Sequence, residues 1–185
     1  MKRLIALTAF ALLAALAASA QSNPVVTTVR HMLMRDQHNL VAAAQYMPEA
    51  KYSYQPTAKQ MTFGHLVDHI GMSNFFMCSK IAGTGMPHHA HLTPQSPKAE
   101  LIAQMEASFK YCEATLAHTN DSELGEPIHL FGSHEMPKAA AVIGVATDMA
   151  DHYAQAAGYL RLNGILPPTA HGAMMPMKHH HMRMR

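Results

Sequence analysis

The chain has 185 residues, with 14 Lys and Arg against 12 Asp and Glu and a formal net charge of +2 when histidines are neutral. That balance excludes a nucleic-acid footprint, which needs a basic patch or stripe. The compositional excess is 15 His and 16 Met beside no Trp, which points to metal before any other partner.

The first 20 residues read as a cleavable secretory signal peptide. Lys2 and Arg3 form its basic start, Leu4–Ala18 an apolar and small-residue run, and Ala18-Ser19-Ala20 a small-x-small cleavage site before Gln21. The alternative is a membrane anchor, but the run is short for a span of roughly 20 apolar residues. No other stretch is long and apolar enough to span, so no membrane association is expected after cleavage. The expected destination is the periplasm or the extracellular space. Cleavage leaves 165 of the 185 residues, which suits one domain with a real core. In that part 12 of the 14 Lys and Arg remain against the 12 acidic residues, so it is near neutral.

A first helix is expected from Pro24 to Met47, capped by Asn23, with Val29, Leu33, Leu40, Ala44 and Met47 at helical spacing. Pro48 ends it. A second runs from Phe63 to Ala82, with Thr62 as N-cap and Gly83 as C-cap. One of its faces carries Phe63, Leu66, Val67, Ile70, Asn74, Met77, Cys78 and Ile81. His65, His69, Met72 and Phe76 form a second stripe, so the helix should be largely buried.

A loop rich in Gly, Pro and His follows, from Gly83 to Gln95. Ser96-Pro97 starts a third helix reaching about His118. Residues 119–136 read as a long connection with a short extended piece at Ile128–Phe131. Pro137 opens a fourth helix to Leu162, stopped by Asn163-Gly164 and by Pro167-Pro168. The result is an all-α, antiparallel four-helix bundle over residues 21–168, with one long connection before the last helix. A disordered His/Met-rich tail is expected over residues 169–185.

His152 falls on the apolar stripe of the fourth helix, with Asp148 at i−4 and Gln155 at i+3. All three are expected to face inward. A buried, unpaired carboxylate costs several kcal/mol or becomes protonated, and a divalent cation would compensate it. His65 and His69 stand at i, i+4 on the second helix, and bundles build metal sites from such facing stripes. Two imidazoles and a carboxylate suit catalytic Zn²⁺ or a facial-triad Fe²⁺ centre. The structural alternative is a hydrogen-bonded core His152 and a His65 that only caps or faces solvent.

The run TFGHLVDHIGMSNFFMCSKIAG, Thr62–Gly83, and the run ADHYAQAAGYLRLNGILPP, Ala150–Pro168, resemble the DinB/YfiT-like superfamily. The exit of the first helix, MPEAKYSYQPT at Met47–Thr57, fits as well, and the likeness covers residues 24–168. The resemblance implies a four-helix bundle holding a divalent metal, Zn, Ni or Fe, by three residues that are typically all His. His69 matches the ligand from the second helix, and His152 the second His of an H-x-x-x-H pair on the last. Asp148 replaces the first His of that pair. Either the site keeps its metal with altered geometry and selectivity, or it is weakened. Family activities include thiol-dependent transfer and metal-dependent hydrolysis of small molecules. Export argues against the thiol-dependent part, because reduced thiol cofactors are scarce outside the cytoplasm.

Cys78 and Cys112 are expected to pair in an exported chain, the alternative being two buried thiols. Closing a loop of about 34 residues would contribute up to roughly 4 kcal/mol. The loop segment Met86-Pro87-His88-His89-Ala90-His91 and the tail segment Met174–Met184 mix imidazole with thioether, a pairing suited to copper. Three function classes follow. One is an exported metal-dependent hydrolase or transferase. The second is a non-enzymatic copper-handling protein using the loop and tail. The third is a helical bundle with no active metal site, serving a binding role.

Overall fold

Four long helices dominate residues 23–171, the part described by this computed structural model. The leader expected at residues 1–20 and the His/Met-rich run from Met174 onward lie outside the described residues. The helices are α1 (Pro24–Tyr46), α2 (Phe63–Ala82), α3 (Lys98–Ala117) and α4 (Lys138–Leu162). They form an all-α four-helix bundle. A small antiparallel hairpin, β1 (Pro127–His129) and β2 (Glu135–Pro137), lies in the connection before α4, with Ile128 opposite Met136. The extended piece starts and stops earlier than Ile128–Phe131, because Leu130 turns into the core and Phe131 turns out.

The helix ends follow local chemistry. Thr62 Oγ1 accepts the His65 amide at the start of α2, and Gly83 closes it in the left-handed conformation at φ 67°. The start of α1 is solved differently from the expected Asn23 cap. The amides of Val25 and Val26 donate to the two carboxylate oxygens of Asp121, both at 2.9 Å. Asn23 instead pairs with the Asn120 side chain and the Asp121 amide. A carboxylate meets the positive end of the helix dipole and accepts more strongly than an amide.

The contacts fix the helix directions. Lys138, at the start of α4, pairs with Glu123 and Glu126 beside the start of α1. So α1 and α4 begin at one end and run the same way. Along α2 and α4, Ser73 meets Asp148 and Tyr159 meets Met61, so those two are antiparallel. Along α2 and α3, Asp68 meets Gln104, Asn74 meets Ser108 and Cys78 is disulfide-bonded to Cys112, so those two run parallel. The order is up, down, down, up.

A parallel pair needs a connection as long as the bundle. The segment between α2 and α3 supplies it by climbing their shared groove. Thr84 meets the Tyr111 hydroxyl low in the groove, and His89 stacks on Phe75 at mid-height. Pro94 passes so close to Gly64 that a Cβ there would stand 2.4 Å from the Pro94 carbonyl oxygen.

The interior is mainly apolar, with a few buried polar side chains such as Asn74 and Ser108. Phe63, Phe109, Leu40, Leu66, Ile70, Met105, Met149 and Leu160 are all fully buried. Fully burying each such side chain is worth about 1.5–3 kcal/mol. The disulfide ties α2 to α3 with Cα atoms 5.2 Å apart. Past α4 the chain stays docked beyond Pro168. Pro168–Ala170 form a short turn, and the Thr169 amide donates to the Tyr153 hydroxyl. Among the described residues no helix is long and apolar enough to cross a membrane.

Candidate metal centre

The groove between α2 and α4 brings together His69, Asp148 and His152. Antiparallel packing sets this level, since residue numbers fall along α2 as they rise along α4. His152 lies between Met149 and Ala156 on the apolar stripe and is only 5% exposed. Its Nε2 stands 3.4 Å from Asp148 Oδ1 one turn below. The contact is close but too poorly aligned for a hydrogen bond, and both His152 ring nitrogens are buried with no hydrogen-bond partner. An unpartnered buried polar atom costs about 1–3 kcal/mol, so a neutral core role explains His152 poorly.

Asp148 is fixed from the other side. The Ser73 hydroxyl donates to Asp148 Oδ2 at 2.5 Å, which leaves Oδ1 facing His152. Burial pushes the Asp148 carboxyl up, but contact with His152, the Ser73 hydroxyl and the nearby imidazoles outweigh it and hold it below its ordinary value. The group is an anion aimed at the two rings. The His69 ring meets the His152 ring edge-on, with centroids 4.9 Å apart and planes at 89°. Burial of its packed side, then the neighbouring His152, lowers the His69 pKa, so the ring is neutral with a free lone pair near pH 7. Its outer edge is exposed.

The donor types fit a divalent ion, and a cation would satisfy the lone-pair nitrogen of the unpartnered His152 ring. The rings are not yet gathered around one point. Among the described residues no three His, Cys, Asp or Glu side chains converge tightly enough to hold an ion as they stand.

The other expected residues lie elsewhere. His65 is exposed in the first turn of α2. Gln155 is exposed rather than inward. It lies about 60° round the helix from His152, on the flank where the Asp148 side chain is already 36% exposed. The histidine stripe of α2 is therefore a groove edge, with His65 and His69 in solvent and Met72 and Phe76 half-buried. Two contributors escaped sequence reasoning. Ser73 stands at i+4 from His69, a spacing that could have revealed it. Phe131, which follows the first hairpin strand, stacks on Phe76 at the groove edge with centroids 5.6 Å apart, and no local signal announces it. In the crossover loop His89 and His91 lie near each other, with ring centroids 5.9 Å apart, but among the described residues no third ligand joins them.

The architecture is a four-helix bundle whose groove between the second and last helices has His152 in its floor, Asp148 half-exposed beside it and His69 at its open edge. The DinB superfamily pattern matches residues 32–156, and the chain belongs to that superfamily. The fold is similar to a DinB-like protein (YjoA) from Bacillus subtilis, with 20% identity and a TM-score of 0.61, over 74% of this chain and 92% of that one. It is similar also to a conserved protein from Enterococcus faecalis, with 16% identity and a TM-score of 0.64, over 76% of this chain and 98% of that one. No curated protein matches the chain.

Proposed function

We propose that this DinB-superfamily protein is exported and binds one divalent metal ion through His69, Asp148 and His152, serving as a metal-dependent hydrolase on a small molecule. The observation that carries the reading is His152, a buried imidazole with both nitrogens unpartnered, facing an anionic carboxylate and a neutral second imidazole. A divalent ion at this place supplies Lewis acidity that makes water a nucleophile near neutral pH.

The chain's own residues do the rest. Ser73 holds Asp148 in orientation, and the apolar stripe around Met149 and Ala156 keeps bulk water from His152. His69, on the open side, is the ring that would turn to complete the set. Hydrolysis is preferred to thiol-dependent transfer because the leader sends the chain to a compartment poor in reduced thiols. The Cys78–Cys112 disulfide supports the same compartment.

The test uses protein recovered from its native compartment. N-terminal sequencing should begin at Gln21, and elemental analysis should find one divalent metal per chain. Ester or amide hydrolysis should be lost with a chelator and restored by that metal. Metal-free protein with unchanged hydrolysis would overturn the reading.

A further inference from the structure

The crossover loop encloses a second concavity, on the α2–α3 face rather than the α2–α4 groove. Its volume is about 430 Å³, and its lining includes Phe75, His88, His89, Leu92, Glu100 and Gln104. That volume lies within the usual range for small-molecule sites, about 300–1,000 Å³. The walls are mostly apolar, and the polar side chains among them are His88, His89, Glu100 and Gln104.

The His89 ring stacks on Phe75 with centroids 5.5 Å apart, and its Nδ1 lies 2.9 Å from the Pro87 carbonyl oxygen. A carbonyl only accepts, so in the neutral ring the proton sits on Nδ1 and Nε2 keeps a bare lone pair. Gln104 is 8% exposed. Its amide nitrogen donates to Asp68 Oδ1 at 3.1 Å, which fixes the amide orientation and leaves Oε1 without a partner. Glu100 adds an exposed carboxylate to the lining. The lining thus offers two acceptor groups, the Glu100 carboxylate and the His89 ring, with the unsatisfied Gln104 Oε1 buried behind them. Three His, Cys, Asp or Glu ligands do not converge there, and the space is far larger than an ion needs.

We propose that this concavity binds a small organic ammonium compound, with its apolar or aromatic body against Phe75 and Leu92 and its charged donor toward Glu100 and His89. The inference stands apart from the metal reading and survives its failure.

Phenethylamine is the probe, titrated into the mature protein by calorimetry and ligand-observed NMR, with phenethyl alcohol and phenylacetate as controls. The amine should bind at least about tenfold more tightly than the alcohol, as expected for a charge-assisted hydrogen bond. Phenylacetate should bind more weakly still. Glu100→Gln should bring the amine to within about twofold of the alcohol. Ala103→Trp, at an exposed position of the lining, should block every probe, and Ala107→Phe is a second blocking variant should the first fold poorly. Equal binding of amine and carboxylate, or unchanged amine binding in a folded blocking variant, would overturn the proposal.

Discussion

Replacing His152 by Leu should make the metal-free protein more stable while removing its metal affinity. Leucine has nearly the volume of histidine and suits the apolar stripe between Met149 and Ala156. The imidazole places two polar nitrogens in the core with no hydrogen-bond partner. Relieving that desolvation is worth about 1–3 kcal/mol. The Asp148 contact is lost, but Asp148 is 36% exposed and keeps the Ser73 hydroxyl, so the loss is about 1 kcal/mol or less. The net gain is roughly 1–2 kcal/mol, or a Tm rise of about 2–8 °C for a domain of this size. Urea and thermal unfolding in excess chelator measure it. A metal-free variant less stable than the wild type by 1 kcal/mol or more would refute the reasoning, because it would show the nitrogens to be satisfied in the native core.

Gly64→Ala should destabilise the fold by about 1–3 kcal/mol, since its Cβ would meet the Pro94 carbonyl oxygen at 2.4 Å and push the crossover loop off α2. Thermal unfolding measures the loss, and an unchanged Tm would show that the loop does not press on α2. Paired Cys78→Ser and Cys112→Ser substitutions, compared with wild type under oxidising conditions, should cost up to about 4 kcal/mol through lost loop closure. Urea midpoints check this, and equal midpoints would contradict it. Bonds from Asn120 and Lys138 hold the Glu123 carboxyl below its ordinary 4.5. Its folded pKa is depressed, so its contribution is fully present above about 4.5 and lost as pH falls through the folded value. Unfolding measured from pH 7 to 3 should therefore show a smaller acid loss in Glu123→Gln than in wild type. Parallel curves would remove Glu123 from the account.

Helix boundaries were largely legible because their signals are local. Thr62 and Gly83 act where their chemistry says, and the apolar stripes of α2 and α4 face the core, while the histidine stripe of α2 forms a groove edge instead of the second buried face expected. Spacing put Asp148 and His152 on one face and offered both His65 and His69 as partners, and the DinB resemblance singled out His69. Helix direction did not. The 83–97 segment carries no periodicity, so nothing in it distinguishes a terminal loop from a crossover climbing the α2–α3 groove. Only contacts remote in sequence, such as Asp68 with Gln104 and Thr84 with Tyr111, show its path. The same limit explains α1, whose cap comes from Asp121, 96 residues from Val25. Gln155 was misread because spacing of three residues guarantees a shared flank but not a buried one. At that flank the bundle has already opened to solvent.

The account rests on His152 and its two neighbours holding an ion. The most direct measurement is calorimetric titration of chelator-stripped mature protein with Zn²⁺ and Ni²⁺, beside His69→Ala, Asp148→Ala and His152→Leu. The wild type should take up one ion per chain. His152→Leu should take up none at that site, and the other two variants should bind at least about tenfold more weakly. Equal uptake by His152→Leu and wild type would contradict the central claim.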